Sequence, residues 1–146
     1  MEVEKILVSK EEYRSWFVTV LSFGCKYGIP VDADLVFDVR FLPNPYYVDE
    51  LKNHTGNEAK VQEFVMGGGL AEEFLKKLYD MVVFLLPHYV EEGKNQLVIA
   101  VGCTGGKHRS VTIANQLYER LSSEEDIGLK IEHRDIEKDS RRKQEG

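Results

Sequence analysis

The sequence predicts a single-domain α/β sandwich, with a mainly parallel sheet of about four strands flanked by helices. Three observations carry this. Stretches rich in β-branched and aromatic residues alternate with stretches whose apolar residues recur at three and four. The run at 96–101 is apolar almost throughout, as in an interior strand covered on both faces. It passes directly into a glycine-rich turn and then an amphipathic segment, the succession that builds layered α/β domains. The chain has 146 residues and is 42% hydrophobic, enough for one domain, 1–146, with a real core.

Residues 16–23, Trp-Phe-Val-Thr-Val-Leu-Ser-Phe, read as the first strand. Gly24 and Tyr27-Gly28-Ile29-Pro30 break it. A second strand centres on Leu35-Val36-Phe37 within 34–39. It runs into a loop in which Pro43 and Pro45 flank Asn44, a rigid arrangement that continues neither strand nor helix. Residues 57–66 suit a short helix, and Gly67-Gly68-Gly69 allow a sharp break. The clearest helix spans 70–86, with Leu70, Phe74, Leu78, Met81, Val82 and Leu85 as its apolar stripe and Pro87 marking its end. After the strand at 96–101 comes a helix over about 109–122, buried through Ile113, Ala114, Leu117, Tyr118 and Leu121. The alternating Leu129-Lys130-Ile131-Glu132-His133 reads as a fourth strand at a sheet edge. The loops after the second and third strands share one cleft if those strands are parallel neighbours, because ligands in such sheets sit beyond the carboxyl ends of the strands.

Composition narrows the partners. No apolar run approaches the roughly 20 residues of a membrane helix, and the first residues, Met-Glu-Val-Glu-Lys, lack signal-peptide character. Two cysteines, Cys25 and Cys103, make no disulfide framework and no CxxC pair, so a reduced, cytoplasmic setting is expected. His54 and His88 have no metal-like spacing, and no metal or cofactor is expected. The net charge of −6 argues against a protein that coats nucleic acid. The last nine residues, 138–146, nevertheless carry a local +2, leaving −8 on the rest. Such a basic tail is either a frayed, solvated terminus or a polyanion contact.

The turn Gly102-Cys103-Thr104-Gly105-Gly106-Lys107-His108-Arg109-Ser110 has the chemistry of an anion cradle. Gly105 and Gly106 can take positive φ and let backbone N–H groups converge. A helix N-terminus adds unpaired donors and a positive dipole end. Arg109 can grip phosphate oxygens with two donors, Lys107 or His108 can add charge, and Thr104 and Ser110 can add hydroxyls. Ser110 has an alternative role as a helix N-cap, and the whole turn has the alternative of a plain strand-to-helix connection. The pattern is neither a Walker A loop nor a dinucleotide fingerprint. Cys103 and Arg109 are also spaced as Cys-x5-Arg followed by Ser110, which looks like the protein tyrosine phosphatase signature, where a thiolate attacks phosphorus. Against it, Gly102 stands where that family has histidine, and there is no Trp-Pro-Asp loop. Asp38 and Arg40 lie two apart at a strand end and so point to one side, either toward each other or toward a ligand.

Two motifs together, Phe37-Asp38-Val39-Arg40-Phe41-Leu42-Pro43-Asn44-Pro45 and Gly102 to Val111, resemble the C-terminal domain of the RapZ/YvcJ family. Phe23-Gly24, Tyr27 to Pro30, Leu51-Lys52, Thr55-Gly56, Leu86-Pro87, His133-Arg134 and Glu137-Lys138 extend the likeness over about 16–138. The resemblance implies a non-catalytic domain that binds a small phosphorylated metabolite, such as glucosamine-6-phosphate, and possesses affinity for small RNA. Carried over by motif position, it implies a phosphate end formed by Cys103, Thr104, Gly105, Gly106, Lys107, His108, Arg109 and Ser110, with Asp38, Arg40, Asn44 and Tyr46 shaping the opposite wall. It implies RNA contacts at His133, Arg134, Lys138, Arg141, Arg142 and Lys143, and a homo-oligomer. Full-length relatives place a P-loop domain before this one, and no Walker A motif occurs here. Tyr46 stands where some relatives have a histidine; a phenol can hydrogen-bond a sugar but cannot carry that positive charge. Lys138 matches the family's basic end, whereas Asp139 and Ser140 depart from it.

Overall fold

The computed structural model describes residues 17–124 and 127–138. Four strands, β1 (Phe17–Gly24), β2 (Leu35–Asp38), β3 (Gln96–Cys103) and β4 (Gly128–His133), form one sheet in the order β2-β3-β1-β4. All three pairings are parallel. Three α-helices complete the fold: α1 (Ala59–Met66), α2 (Leu70–Glu91) and α3 (Arg109–Leu121). Parallel neighbours need crossover connections, and the helices supply them. β4 lies at an edge, as its alternation predicts.

The main core lies on one face of the sheet. Val18 and Val20 of β1 and Leu97, Ile99 and Val101 of β3 pack against Leu75, Leu78, Val82, Ile113, Leu117 and Leu121 of the helices, all buried. Leu21, Phe23 and Ala100 point the other way and form a smaller cluster.

Two features of α2 differ from the sequence-based expectation. Pro87 sits inside the helix, which continues to Glu91. Leu86 and Pro87 are buried, and Tyr89 and Val90 pack on the core. Burial at about 1.5–3 kcal/mol per large apolar side chain offsets the roughly 3 kcal/mol penalty of an interior proline. The buried stripe is Ala71, Leu75, Leu78, Val82 and Leu86, while Leu70 and Met81 are exposed. The helix is apolar on more than one face, so spacing alone admits two stripes and the packing partners choose between them. In α3, Tyr118 is half-buried rather than part of the fully buried stripe.

Candidate functional site

β2 pairs with β3 through Asp38 opposite Gly102, so the loop after β2 and the turn after β3 emerge side by side. Val39 N–H donates to Gly102 O at 2.8 Å, and Lys26 N–H donates to Thr104 O at 3.2 Å. Gly106 adopts φ +78°, and a Cβ there would lie 2.7 Å from Gly24 N. A Cβ at Gly24 would meet Gly105 C at 2.5 Å. The turn thus closes directly onto the end of β1, an approach that only glycine permits. Gly105 itself keeps a negative φ, so one residue, not two, supplies the left-handed geometry.

A cavity of about 550 Å³ opens beside this turn. The turn contributes Cys103, Thr104, Gly105, Lys107, His108 and Arg109; the loops opposite contribute Lys26, Asn44, Tyr46, Tyr47 and Lys52. Among the described residues, the lining holds three lysines and an arginine and neither Asp nor Glu. In a chain of net charge −6 this is a local inversion of sign.

The backbone matches. Among the described residues, nothing accepts a hydrogen bond from the main-chain N–H of Thr104, Gly105, Gly106, His108, Arg109, Ser110 or Val111. The first bond of α3 is Thr112 N–H to His108 O, at 3.0 Å. These unspent donors and the helix dipole favour a bound anion.

The side chains divide the work differently from what spacing suggests. Arg109 is buried, and its Nη1 donates to Arg40 O at 2.5 Å and Leu42 O at 3.4 Å. Its Nε is buried with no partner among the described residues. The guanidinium therefore ties the two loops together and carries its charge to the floor of the site. His108 does not supply charge: burial pushes its pKa below the usual histidine value, and Nε2–H donates to Lys52 O at 3.1 Å. Ser110 is not the N-cap. His108 holds that position without a side-chain bond, while the Ser110 hydroxyl lies 3.2 Å from Cys103 Sγ. Asn44 does act as a turn residue, its side chain accepting from Tyr46 N–H at 3.1 Å, and it also lines the cavity.

Asp38 and Arg40 are not part of the lining. They pair with each other, with Nη2 to Oδ2 at 2.6 Å, and both are about half exposed. Two side chains on one side of a strand end meet each other before they meet anything across the cleft. Arg40 contributes through its carbonyl, which Arg109 holds.

His133 and Arg134 have structural partners. Ser22 Oγ–H donates to His133 Nδ1 at 2.7 Å, and His133 Nε2 lies 3.0 Å from Asn115 Oδ1. Arg134 Nη2 reaches Gly28 O at 2.6 Å and Asp135 Oδ2 at 2.8 Å. Lys138 Nζ is 2.5 Å from Asp135 Oδ1. Arg141, Arg142 and Lys143 lie outside the described residues.

Lys26, Tyr47 and Lys52 line the cavity without having been predicted as site residues, and Asp135 supports the turn from outside the lining. Lys26 follows Gly24 by two and so lies across from Thr104, a position readable only once the strand register is known. Lys52 stands in a motif quoted for the family resemblance, with no pattern to mark it as lining the site. Asp135 is wholly buried and accepts from Gly24 N–H at 2.8 Å as well as from Arg134 and Lys138. Burial raises its pKa, but these three partners together hold it below the usual carboxylate value. Its one sequence signal is an acid between Arg134 and Lys138 just after a strand.

Burial also lowers the pKa of His133. A histidine whose folded pKa is depressed resists a proton that the unfolded chain accepts below about 6.5. Stability is therefore full above that pH and falls as pH drops below it, by at most about 1.4 kcal/mol per pH unit for each histidine. Asp135 loses its contribution only at much lower pH. The thermal midpoint is expected to fall between pH 7.5 and 5.5, and His133→Gln to flatten that dependence; a flat profile in the parent would contradict it.

The RapZ C-terminal domain profile matches residues 16–137, from the edge of β1 past Asp135. The chain belongs to the RapZ C-terminal domain family. Among curated relatives, a nucleotide-binding protein of Agathobacter rectalis is 63% identical over 142 residues, 97% of this chain and 49% of that protein. One from Lachnoclostridium phytofermentans is 63% identical over 137 residues, 94% of this chain and 48% of the relative. One from Thermoanaerobacter sp. is 59% identical over 92% of this chain and 47% of its own length. The chain thus spans about half the length of the curated relatives it matches. Among the described residues, no helix is long and apolar enough to cross a membrane.

Proposed function

We propose that this domain is a non-catalytic sensor that binds a small phosphorylated metabolite, a phosphosugar, in the cavity beside the 104–111 turn. One observation carries this: the main-chain N–H groups of Thr104, Gly105, His108 and Arg109 have no acceptor among the described residues, and these residues line a cavity whose described lining is cationic and lacks carboxylates. A phosphoryl group answers both features, since it brings charge and several acceptor oxygens at once. Glucosamine-6-phosphate is the first probe the family suggests. Isothermal titration is expected to detect binding of sugar phosphates and competition by inorganic phosphate. Absence of heat with any phosphorylated probe, confirmed by an unchanged thermal midpoint, would reject the proposal. A cytoplasmic, self-associating regulatory protein is the setting this proposal assumes.

A catalytic alternative has one observation in its favour, the Cys103 Sγ–Ser110 Oγ contact at 3.2 Å, since such a hydroxyl would stabilise a nucleophilic thiolate. The thiolate would displace the alcohol from phosphorus, and water would then release phosphate from sulfur. The lining carries no acid among the described residues to protonate the departing alcohol. The sensor proposal expects no turnover of phosphate esters; turnover abolished in Cys103→Ser would favour the enzyme.

RNA binding is a second element of the proposal. Lys26, which lines the cavity, and Lys138 both lie over the Tyr27 ring, at 5.4 and 4.9 Å. Phosphate contacts there predict RNA retention that weakens steeply with salt. Filter binding at two salt concentrations, with and without residues 138–146, tests it; salt-independent retention would contradict it.

A further inference from the structure

We propose that His133 is a positioning residue for the anion site, acting through Asn115 on the peptide between Lys107 and His108, and that it does so only as the neutral imidazole. This rests on the phosphosugar proposal above and names a control on that same site.

The chain of contacts starts at a backbone group. Gly56 N–H donates to Lys107 O at 2.9 Å. A peptide is planar and trans, so a Lys107 carbonyl turned toward Gly56 turns the His108 N–H the other way. On that side it has no acceptor among the described residues. Gly56 thus aims one donor of the turn. Its own place is fixed from α1 and α3. Asn115 Nδ2–H donates to Asn57 Oδ1 at 2.8 Å and to Gly56 O at 3.4 Å, and Gln62 Nε2–H donates to Gly56 O at 2.8 Å. An added Cβ at Gly56 would lie 2.4 Å from His108 O, so the segment is already in full contact with the turn.

With its N–H groups committed to the 56–57 segment, Asn115 presents Oδ1 to His133, and the ring Nε2–H donates to it at 3.0 Å. Nδ1 is then the bare nitrogen, and it accepts from the Ser22 hydroxyl at 2.7 Å. The Gly56 carbonyl at one end fixes every proton in the row. Protonating Nδ1 sets two donors face to face, and Ser22 is fully buried, so its displaced proton loses its acceptor out of reach of water. β1 presents Ser22 to the ring and α3 presents Asn115, neither of them charged. The chain neighbours of His133 are engaged elsewhere, Glu132 with Lys130 at 4.0 Å and Arg134 with Asp135 at 2.8 Å. Burial alone holds the His133 pKa below the usual histidine value, so the neutral form prevails at pH 7.5 and the cation enters as the pH falls.

The test is isothermal titration of the intact chain with glucose 6-phosphate between pH 7.5 and 5, in the parent, Asn115→Ala, His133→Ala and His133→Gln, with the thermal midpoint reporting that each is folded. At pH 7.5 the two alanine variants are each expected to bind about fivefold more weakly. His133→Gln keeps a neutral donor for Asn115 and is expected to stay within about twofold of the parent. Titration of the phosphate and of His108 is common to the parent and His133→Gln and cancels in the ratio of their affinities. That ratio is expected to move about twofold against the parent by pH 5. Parental affinity in either alanine variant, or a ratio that does not change with pH, overturns the His133 assignment and leaves the phosphosugar proposal standing. No binding of glucose 6-phosphate by the parent overturns both.

Discussion

Arg109→Ala is expected to weaken binding of glucose 6-phosphate by about a hundredfold, the effect of losing two charge-assisted hydrogen bonds at roughly 1.5 kcal/mol each. The residue has two jobs. It brings a buried cation under the 104–111 turn, and it holds the carbonyls of Arg40 and Leu42, which sets the loop carrying Asn44 and Tyr46. Arg109→Lys separates them. Lysine keeps the charge but presents a point donor in place of a fork, so about tenfold weakening is expected, with the loop loosened. Calorimetric titration reads the affinity, and the thermal midpoint reports whether either variant still folds. A folded Arg109→Ala with parental affinity would remove Arg109 from the site.

Asp135→Ala is expected to be the most destabilising single change outside the apolar core, by about 3 kcal/mol. The carboxylate is fully buried and is shared by Gly24 N–H, Arg134 and Lys138. Its removal strands a buried backbone donor and leaves two cations facing each other. Both cations are partly reached by solvent, which keeps the figure below that of a fully buried triad. At this chain length the midpoint is expected to drop by about 10 °C. Asp135→Asn retains an acceptor for Gly24 and is expected to recover about half of the loss. Gly106 packs against both Gly24 and the Asp135 side chain, so the same variants are expected to disorder the turn and reduce phosphosugar affinity. Unchanged stability in Asp135→Ala would show that Gly24 is held by other means.

The fold was largely legible because its signals are local. The four strands, the order of elements and the glycine-rich turn follow from β-branched runs, apolar spacing and punctuation by Gly and Pro. The failures arose where tertiary packing decides. Pro87 breaks a helix in isolation, yet burial of Leu86 and Pro87 carries α2 past it. Apolar residues on several faces of α2 left its core stripe ambiguous until partners were known. At the site, residue types pointed to an anion, and the turn does present the donors. For Asp38 and Arg40 the sequence left two partners open, each other or a ligand, and only the structure shows that they pair with each other. Whether Lys107 or His108 adds the charge stayed open, because the burial that lowers the pKa of His108 is invisible in sequence. Lys26, Lys52 and Asp135 join the site only through register and long-range contacts.

The most direct measurement is a titration of the 15N-labelled chain with glucose 6-phosphate, followed by amide 1H–15N chemical shifts. Binding at the proposed nest is expected to move the amide protons of Thr104, Gly105, Gly106, His108 and Arg109 downfield as they gain an acceptor, with smaller changes at Tyr46 and Lys52. Saturable shifts confined to other surfaces, or none at these amides at millimolar ligand, would contradict the assignment of the turn as a phosphosugar site.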